Sequence, residues 1–155
     1  INAYKNHYLH LFENKYPTPY IKESFTIEVL KHELKDKSSA LWLIYQGNKA
    51  VGILKLIKDA PIAPHISKET VFLEKIYILN KFSGKGIGSL ALGWVEKYSL
   101  DSNKQLLWFE TMQQGPALNF YLKNGYEIIK EKQLKFEQVL EKQKPMYVLM
   151  KKLST

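Results

Sequence analysis

The chain has 155 residues, enough for one domain with one sizeable hydrophobic core, and no internal repeat or low-complexity linker divides it. The absence of cysteine excludes disulfides, cysteine metal sites and a cysteine nucleophile. The net charge of +8 favours anionic partners such as a phosphorylated cofactor or nucleic acid, or simply forms a solvated basic surface. Because the lysines are scattered, dedicated nucleic-acid binding is disfavoured. We expect a single domain over residues 1–155.

The first half of the chain predicts helical segments followed by a β-hairpin. Apolar residues recur at roughly helical spacing through the first fourteen positions, until the prolines of "YPTPY" break the pattern. From about Phe25 to Lys35 they recur at three and four, which predicts a helix. "ALWLIYQGNKAVGILKLI" predicts a hairpin that turns at Gly47 and Asn48. A proline-containing loop follows.

The second half predicts strands that alternate with helices. A strand is expected over Val71–Leu79, and the apolar positions 87, 90, 91, 94, 95 and 98 predict an amphipathic helix after it. "LLWF" predicts a strand, Gly115 and Pro116 open another helix that Gly125 closes, and "YEIIK" and "MYVLMKK" predict the last two strands. This order predicts an α/β fold with a mixed sheet and helices on its faces.

A glycine-rich loop, "FSGKGIGS", lies between the predicted strand Val71–Leu79 and the next helix. A helix start exposes unpaired N–H groups and a partial positive charge, which together make an anion site. The phosphate-binding Walker pattern needs four residues between two glycines, and the dinucleotide pattern needs G-x-G-x-x-G after the first strand. The spacing of Gly84, Gly86 and Gly88 fits neither motif.

Two segments resemble motifs of the Gcn5-related N-acetyltransferase (GNAT) superfamily. "IYILNKFSGKGIG" is similar to that family's aliphatic-Tyr-Val-x-Pro-x-x-Arg/Gln-Gly-x-Gly-Ile-Gly, with Asn80 and Ser83 as departures. "ALNFYLKNGYEII" is similar to its Ala-x-x-Phe/Leu-Tyr-x-x-x-Gly-Phe/Tyr. The resemblance implies a mixed, mostly antiparallel sheet with helices on both faces and a splayed strand pair that holds the cofactor. The N-terminal half looks like bacterial polyamine (spermidine/spermine) N-acetyltransferases.

The resemblance implies acetyl-coenzyme A as the cofactor. Its pyrophosphate would lie on backbone N–H groups from Ser83 to Ser89, and its pantetheine arm would pair with the strand at Ile76–Ile78, where an N–H near Ile78 would polarise the thioester carbonyl. Gln114, which stands where Asn is usual, would bind the pantetheine amides. The implied cofactor-binding residues are Ile76, Tyr77, Ile78, Ser83, Gly84, Lys85, Gly86, Ile87, Gly88, Ser89, Gln114 and Tyr121.

Acetyl transfer to an amine needs a proton acceptor for the amine and a proton donor for the leaving thiolate. Tyr121 aligns with the family's tyrosine that reaches the sulfur, so the resemblance implies a general acid there; a purely core role is the alternative. By strand alternation Glu74 shares a face with Ile76 and Ile78, so it is the expected base, or else a bystander paired with a lysine. Glu110 is the second candidate base.

The expected reaction is direct transfer of an acetyl group to the primary amine of a small molecule, with a polyamine as one candidate. Protein or peptide N-acetylation and non-catalytic acyl-CoA sensing are the alternatives. Acceptor recognition is expected from the N-terminal helices and the loop Pro61–Ile66. We expect no nucleic-acid or membrane partner, no metal, and a cytoplasmic monomer or homodimer.

Overall fold

The computed structural model describes residues 8–12, 21, 23–137 and 139–154, and within them one six-stranded sheet is flanked by helices. The strands are β1 (Ser39–Gln46), β2 (Lys49–Lys58), β3 (Thr70–Ile78), β4 (Leu106–Met112), β5 (Glu127–Gln133) and β6 (Pro145–Lys152). Three α-helices have both ends within the described residues: α1 (Ile27–Lys35), α2 (Ile87–Asp101) and α3 (Pro116–Lys123). Single 3-10 turns lie at Leu9–Leu11, Ser67–Glu69, Asn80–Phe82 and Glu141–Gln143.

The sheet has the strand order β1-β2-β3-β4-β6-β5, and every neighbouring pair is antiparallel except β3 with β4. The parallel pair joins Thr70–Phe72 to Leu106–Trp108 and extends no further. The remaining residues of β3 and β4 are not paired with each other, so the two strands splay apart towards their C-terminal ends. The predicted mixed, mostly antiparallel sheet with a splayed strand pair is therefore confirmed.

Helices cover both faces of the sheet, as predicted. Helices α2 and α3 pack on one face over the main core, whose fully buried members include Leu54, Leu56, Leu92, Val95, Leu107, Phe109 and Leu149. On β2, Lys55 alternates with Leu54 and Leu56, so it points to the opposite face, where Glu33 of α1 meets it. A smaller cluster on that second face is formed by the buried residues Leu11, Phe12 and Val139.

The buried face of α2 differs from the predicted one. Leu90 is 76% exposed and Trp94 is 44% exposed, although both belong to the predicted apolar stripe, whereas Leu92 lies in the core. Trp94 is half-exposed and packs against Tyr98 of its own helix and Trp42 of β1, outside the buried core. Its ring stacks on Tyr98 at 5.3 Å and meets the edge of Trp42 at 5.1 Å.

The predicted elements occur in the predicted order where the structure describes them. Strands β4 and β5 run three residues further than predicted, and most of the predicted N-terminal helix lies outside the described residues. No α-helix in the described part of the chain is long and apolar enough to span a membrane.

Candidate active site

The splay between β3 and β4 opens a cavity of about 380 Å³. It collects residues that are far apart in the sequence, and six of them were predicted to be catalytic or to bind the cofactor: Glu74, Ile76, Tyr77, Glu110, Gln114 and Tyr121. None of the residues in the proline loop at 61–66 lines this cavity. The structure therefore brings together the predicted acid, both candidate bases and part of the predicted cofactor strand, but not the loop expected to recognise the acceptor.

The glycine loop forms an open backbone cradle at the start of α2. Gly84 and Gly86 have φ angles of +72° and +79°, a left-handed backbone conformation that residues other than glycine rarely adopt. A Cβ atom at either position would meet no heavy atom within 4 Å, so the space above the backbone is open. Within the described residues, the backbone N–H groups from Gly84 to Ser89 have no hydrogen-bond partner. These properties fit a diphosphate.

The backbone N–H of Ser83, which was predicted to bind the diphosphate, differs from the N–H groups that follow it. The backbone N–H of Ser83 donates to the carbonyl oxygen of Asn80 at 2.9 Å, because Ser83 ends a 3-10 turn. The expectation that the N–H groups bind from Ser83 onward is therefore corrected to begin at Gly84. Lys85 is exposed, and its ammonium lies 5.6 Å from the centre of the Phe82 ring.

Two further predicted cofactor residues lie where the cradle passes into α2. Ile87 is the first residue of α2, and Gly88 follows it. A Cβ atom at Gly88 would lie 3.6 Å from the Phe120 ring and 3.7 Å from the Ile78 side chain, so this turn packs close to both α3 and β3. The glycine here is therefore explained by close packing as well as by access to the backbone.

Tyr121 lies on α3 and contacts the main core through its ring. Its centroid is 4.2 Å from that of Phe109 and 5.2 Å from that of Phe120, which fixes the ring while the residue lines the cavity. Burial raises the pKa of the Tyr121 hydroxyl well above its usual value, and the neighbouring phenol of Tyr8 adds to the rise. The hydroxyl is therefore held protonated at neutral pH, as a general acid requires.

Glu74 does not share a face with Ile76, so that sequence prediction is wrong. Leu56 of β2 pairs with Leu73, whereas Lys55 pairs with Lys75, and Glu74 is the extra residue of a β-bulge. The bulge interrupts the alternation on which the prediction rested. The Glu74 carboxylate instead contacts the ammonium groups of Lys55 at 2.9 Å and Lys75 at 3.3 Å.

These two lysines form a four-residue ion network with Glu74 and with Glu33 of α1. Lys55 and Lys75 are 6% and 7% exposed, and they donate to Glu33 at 2.6 and 2.9 Å. Burial opposes the charge of Glu33, but the two lysine hydrogen bonds outweigh it and lower the pKa of that carboxyl. Burial likewise opposes the charge of Lys55, and its bonds to both glutamates raise its pKa. The two positive and two negative charges cancel.

Glu110 provides a second carboxylate on the cavity wall. One of its oxygens, Oε1, accepts a hydrogen bond from Lys132 at 2.6 Å. No partner of the other oxygen is found within the described residues. Glu110 follows Phe109 on β4, where alternation places it on the face opposite the main core, the face on which Glu33 meets Lys55.

An apolar roof closes the cavity on this second face, and sequence analysis missed it. Phe12 forms an isolated β-bridge with Val139, and Leu140 donates its N–H to the carbonyl oxygen of Leu11 at 2.9 Å. The rings of Phe12 and Phe136 meet at right angles, 6.1 Å apart. The only signal for it was a few apolar residues in the polar segment before the last strand, which no local pattern links to positions 8–12.

Comparison with known proteins assigns the chain to a family. The model of the acetyltransferase (GNAT) family matches residues 3–126. The chain belongs to this family. Its enzyme class is therefore acetyltransferase, which confirms the sequence prediction at the level of the family. The GNAT motifs identified in the sequence correspond to the cradle and to the helix that carries Tyr121.

Solved structures of other GNAT-type enzymes share the fold. PaiA N-acetyltransferase from Thermoplasma acidophilum, solved with coenzyme A, has a TM-score of 0.73 and 17% identity, with 97% of this chain and 86% of that chain covered. A GNAT acetyltransferase from Elizabethkingia anophelis with acetyl-CoA bound has a TM-score of 0.62 and 21% identity, covering 83% and 84%. Spermidine N-acetyltransferase SpeG from Vibrio cholerae has a TM-score of 0.68 and 16% identity, covering 82% and 72%. At these identities the likeness concerns the fold alone.

Proposed function

We propose that the protein transfers the acetyl group of acetyl-CoA directly to the primary amine of a small molecule. The observation that carries the proposal is the cavity at the β3–β4 splay, which is lined by a buried tyrosine and two carboxylates, in a chain that also has an open anion cradle at the start of α2. Acetyl-CoA supplies an activated thioester. The residues of this chain then have to bind it, orient the amine, remove a proton from the amine and return one to the sulfur.

The cradle and the splayed strand are suited to hold the cofactor. The N–H groups of Gly84–Ser89 have no hydrogen-bond partner in the part of the chain that the structure describes, and the N-terminus of α2 adds a partial positive charge where the diphosphate would lie. Ile76 lies on β3 beyond the last β3–β4 pair, so its strand edge is not covered by β4. Gln114 follows β4 at the cavity wall, where its amide is placed to bind an amide of the cofactor arm.

Tyr121 acts as the proton donor in this proposal. Its raised pKa keeps the phenol protonated through neutral pH, and its ring is fixed against Phe109 and Phe120. A thiolate leaving from the acetyl group needs a proton or a hydrogen bond, and a fixed phenol supplies one without reorganisation. The role of Tyr121 is thereby distinguished from that of the core aromatics, which have no hydroxyl at the cavity.

Glu110 is better suited than Glu74 to accept the proton of the amine. Both oxygens of Glu74 are already engaged by lysine ammonium groups, whereas one oxygen of Glu110 has no partner within the described residues. We therefore assign proton acceptance to Glu110. The expectation of a base at Glu74 stays a prediction, and Glu74 is assigned the electrostatic role of balancing two buried lysines.

The roof favours a small molecule over a peptide. Leu11, Phe12 and Val139 are each 3% exposed, and this buried cluster lines the cavity on its second face and so limits the room for a peptide chain there. The resemblance to polyamine N-acetyltransferases and the fold similarity to the Vibrio cholerae enzyme make a polyamine one candidate acceptor. Aliphatic and aromatic amines are the others.

The test is the release of thiol from acetyl-CoA by the purified protein with a panel of amines, run beside Tyr121→Phe. We expect the wild type to release coenzyme A only when an amine is present, and Tyr121→Phe to lower kcat by about 100-fold or more. The dissociation constant of acetyl-CoA is expected to stay unchanged. Equal turnover by the variant would remove Tyr121 from the mechanism, and binding of acetyl-CoA without turnover by any amine would indicate a sensor.

A further inference from the structure

The part of the cavity beneath the roof, which we term the acceptor pocket, is formed mainly by aromatic and aliphatic side chains; the hydroxyl groups of Tyr8 and Tyr77 are its polar parts, and His10 also lines the cavity. The acceptor pocket comprises Tyr8, Phe12, Tyr77, Met112, Leu134 and Phe136. Two ring pairs shape it: Tyr8 meets Tyr77 edge to face at 5.6 Å, and Phe12 meets Phe136 at 6.1 Å. Aromatic walls of this kind gain most from a flat apolar ligand, because ring contacts add to the area buried.

The charges at the acceptor pocket do not favour a polycation. The described carboxylates that line the cavity are Glu74 and Glu110. Glu74 belongs to the network with Glu33, Lys55 and Lys75, whose charges cancel, and Glu110 is paired with Lys132. Among the residues that the structure describes, an acceptor with three or four ammonium groups would therefore meet no excess of negative charge, and it would lose hydration at each group.

A single ammonium group, by contrast, finds one suitable partner. The oxygen of Glu110 that Lys132 does not engage can accept a hydrogen bond from it and then its proton. The cavity has a volume of about 380 Å³, and the reacting end of the cofactor has to share it, so the acceptor is compact. The pocket thus matches a molecule with one amine at one end and an apolar body at the other.

We infer that the acceptor is a compact monoamine with a ring-bearing apolar body, of the arylalkylamine class, and not a polyamine. This inference rests on the proposed function, because it names the acceptor for the same site. The amine lies at Glu110, and the ring lies among the aromatic side chains of the acceptor pocket. Glu110 takes a proton from the bound ammonium group, and the free amine nitrogen then bonds to the acetyl carbon as the carbon–sulfur bond breaks. Tyr121 donates a proton to sulfur, and its phenolate takes back the second proton, which the acylated nitrogen releases.

The experiment compares kcat/KM for 2-phenylethylamine, spermidine and a peptide with a free N-terminus, each with the full chain and saturating acetyl-CoA. We expect 2-phenylethylamine to be preferred over spermidine by at least about tenfold, equal to 1.4 kcal/mol in transition-state binding. Equal or better turnover of spermidine or of the peptide overturns the inference and leaves the proposed function standing. No thiol release with any amine overturns the proposed function itself.

A charge variant tests the same inference by making the site more favourable for a polycation. Lys132→Gln removes the cation that neutralises Glu110, so the ratio of spermidine to 2-phenylethylamine turnover is expected to rise about tenfold. Lys97→Gln is the matched control, because Lys97 is 76% exposed and pairs with Asp101 on α2, away from the cavity. An unchanged ratio in Lys132→Gln, or an equal rise in both variants, contradicts the claim that the neutralised charge of Glu110 determines the selectivity against spermidine.

Discussion

Replacing Glu33 by glutamine tests the ion network that joins α1 to β2 and β3. The side chain of Glu33 is 13% exposed and accepts from two lysines that are 6% and 7% exposed. Glu33→Gln keeps the shape and removes the charge, so Lys55 and Lys75 are left to share Glu74 alone. One buried positive charge is then uncompensated.

The expected cost is about 3 kcal/mol of the free energy of unfolding, the lower end of the range for breaking a buried pair. The lower end applies because the Glu74 side of the network is 28% exposed, so water reaches it. For a chain of this size that loss corresponds to a fall in Tm of about 6–12 °C. The matched control is Asp101→Asn, which breaks the exposed pair with Lys97 and is expected to cost about 0.5 kcal/mol or less.

The pH dependence of this loss follows from the direction of the pKa shift. The pKa of Glu33 is lowered from its ordinary value of 4.5, so its contribution to stability is fully present above that value and is lost as the pH falls through the folded-state pKa. Denaturant unfolding of both proteins should therefore show a difference that is constant from neutral pH down to about 5 and narrows only as the pH falls further below the ordinary value of 4.5. A difference as small as in Asp101→Asn, or one that does not narrow in acid, refutes the reasoning.

A second substitution separates charge balance from lost packing. Adding Lys75→Met to Glu33→Gln leaves Lys55 and Glu74 as a neutral pair. We expect the double variant to be less destabilised than the sum of the two single variants, because each single variant leaves an unbalanced charge that the double variant does not. Strict additivity would mean that the network acts through packing alone.

Three further substitutions test the site itself. Glu110→Gln should lower kcat/KM for the amine by about 100-fold, and a larger loss in Glu74→Gln would reverse our assignment of the proton acceptor. Gly86→Ala strains a left-handed residue and obstructs the cradle, so the KM for acetyl-CoA should rise about tenfold, whereas Gly93→Ala within α2 should leave it unchanged. Gly52→Ala puts a Cβ atom 2.6 Å from a backbone carbonyl oxygen of β3, and thermal unfolding should show a loss of about 1–3 kcal/mol.

The fold was predictable because its signals are local. The hairpin β1–β2 turns where Gly47 and Asn48 stand between two β-rich runs, and Gly47 has a φ of +57°. Pro116 and Gly125 bracket α3 at its predicted ends. The glycine loop could be placed between a strand and a helix for the same reason. Each of these features is determined by a few residues that are neighbours in the sequence.

The arrangement of charges in the site was not predictable, because it depends on registers that no local pattern shows. Strand alternation assigned Glu74 to the face of Ile76, and one extra residue in the β2–β3 ladder moved it to the opposite face. Glu33 meets Lys55 and Lys75 across 22 and 42 positions of sequence. Phe12 meets Val139 across a still longer separation to form the roof. Periodicity identifies the members of such groups but not their partners.

The net charge of +8 therefore does not by itself determine which acceptor the site prefers; the positions of individual lysines do. Three lysines do not line the cavity themselves, but each forms an ion pair with a carboxylate that does. Lys55 and Lys75 pair with Glu74, and Lys132 pairs with Glu110. An acceptor in the cavity therefore experiences the electrostatic potential of these ion pairs and not that of the net charge of the whole chain. Exposed charges further away contribute little because salt screens them within about 10 Å. A change at Lys132 should consequently alter acceptor choice more than the removal of an exposed lysine that changes the net charge equally.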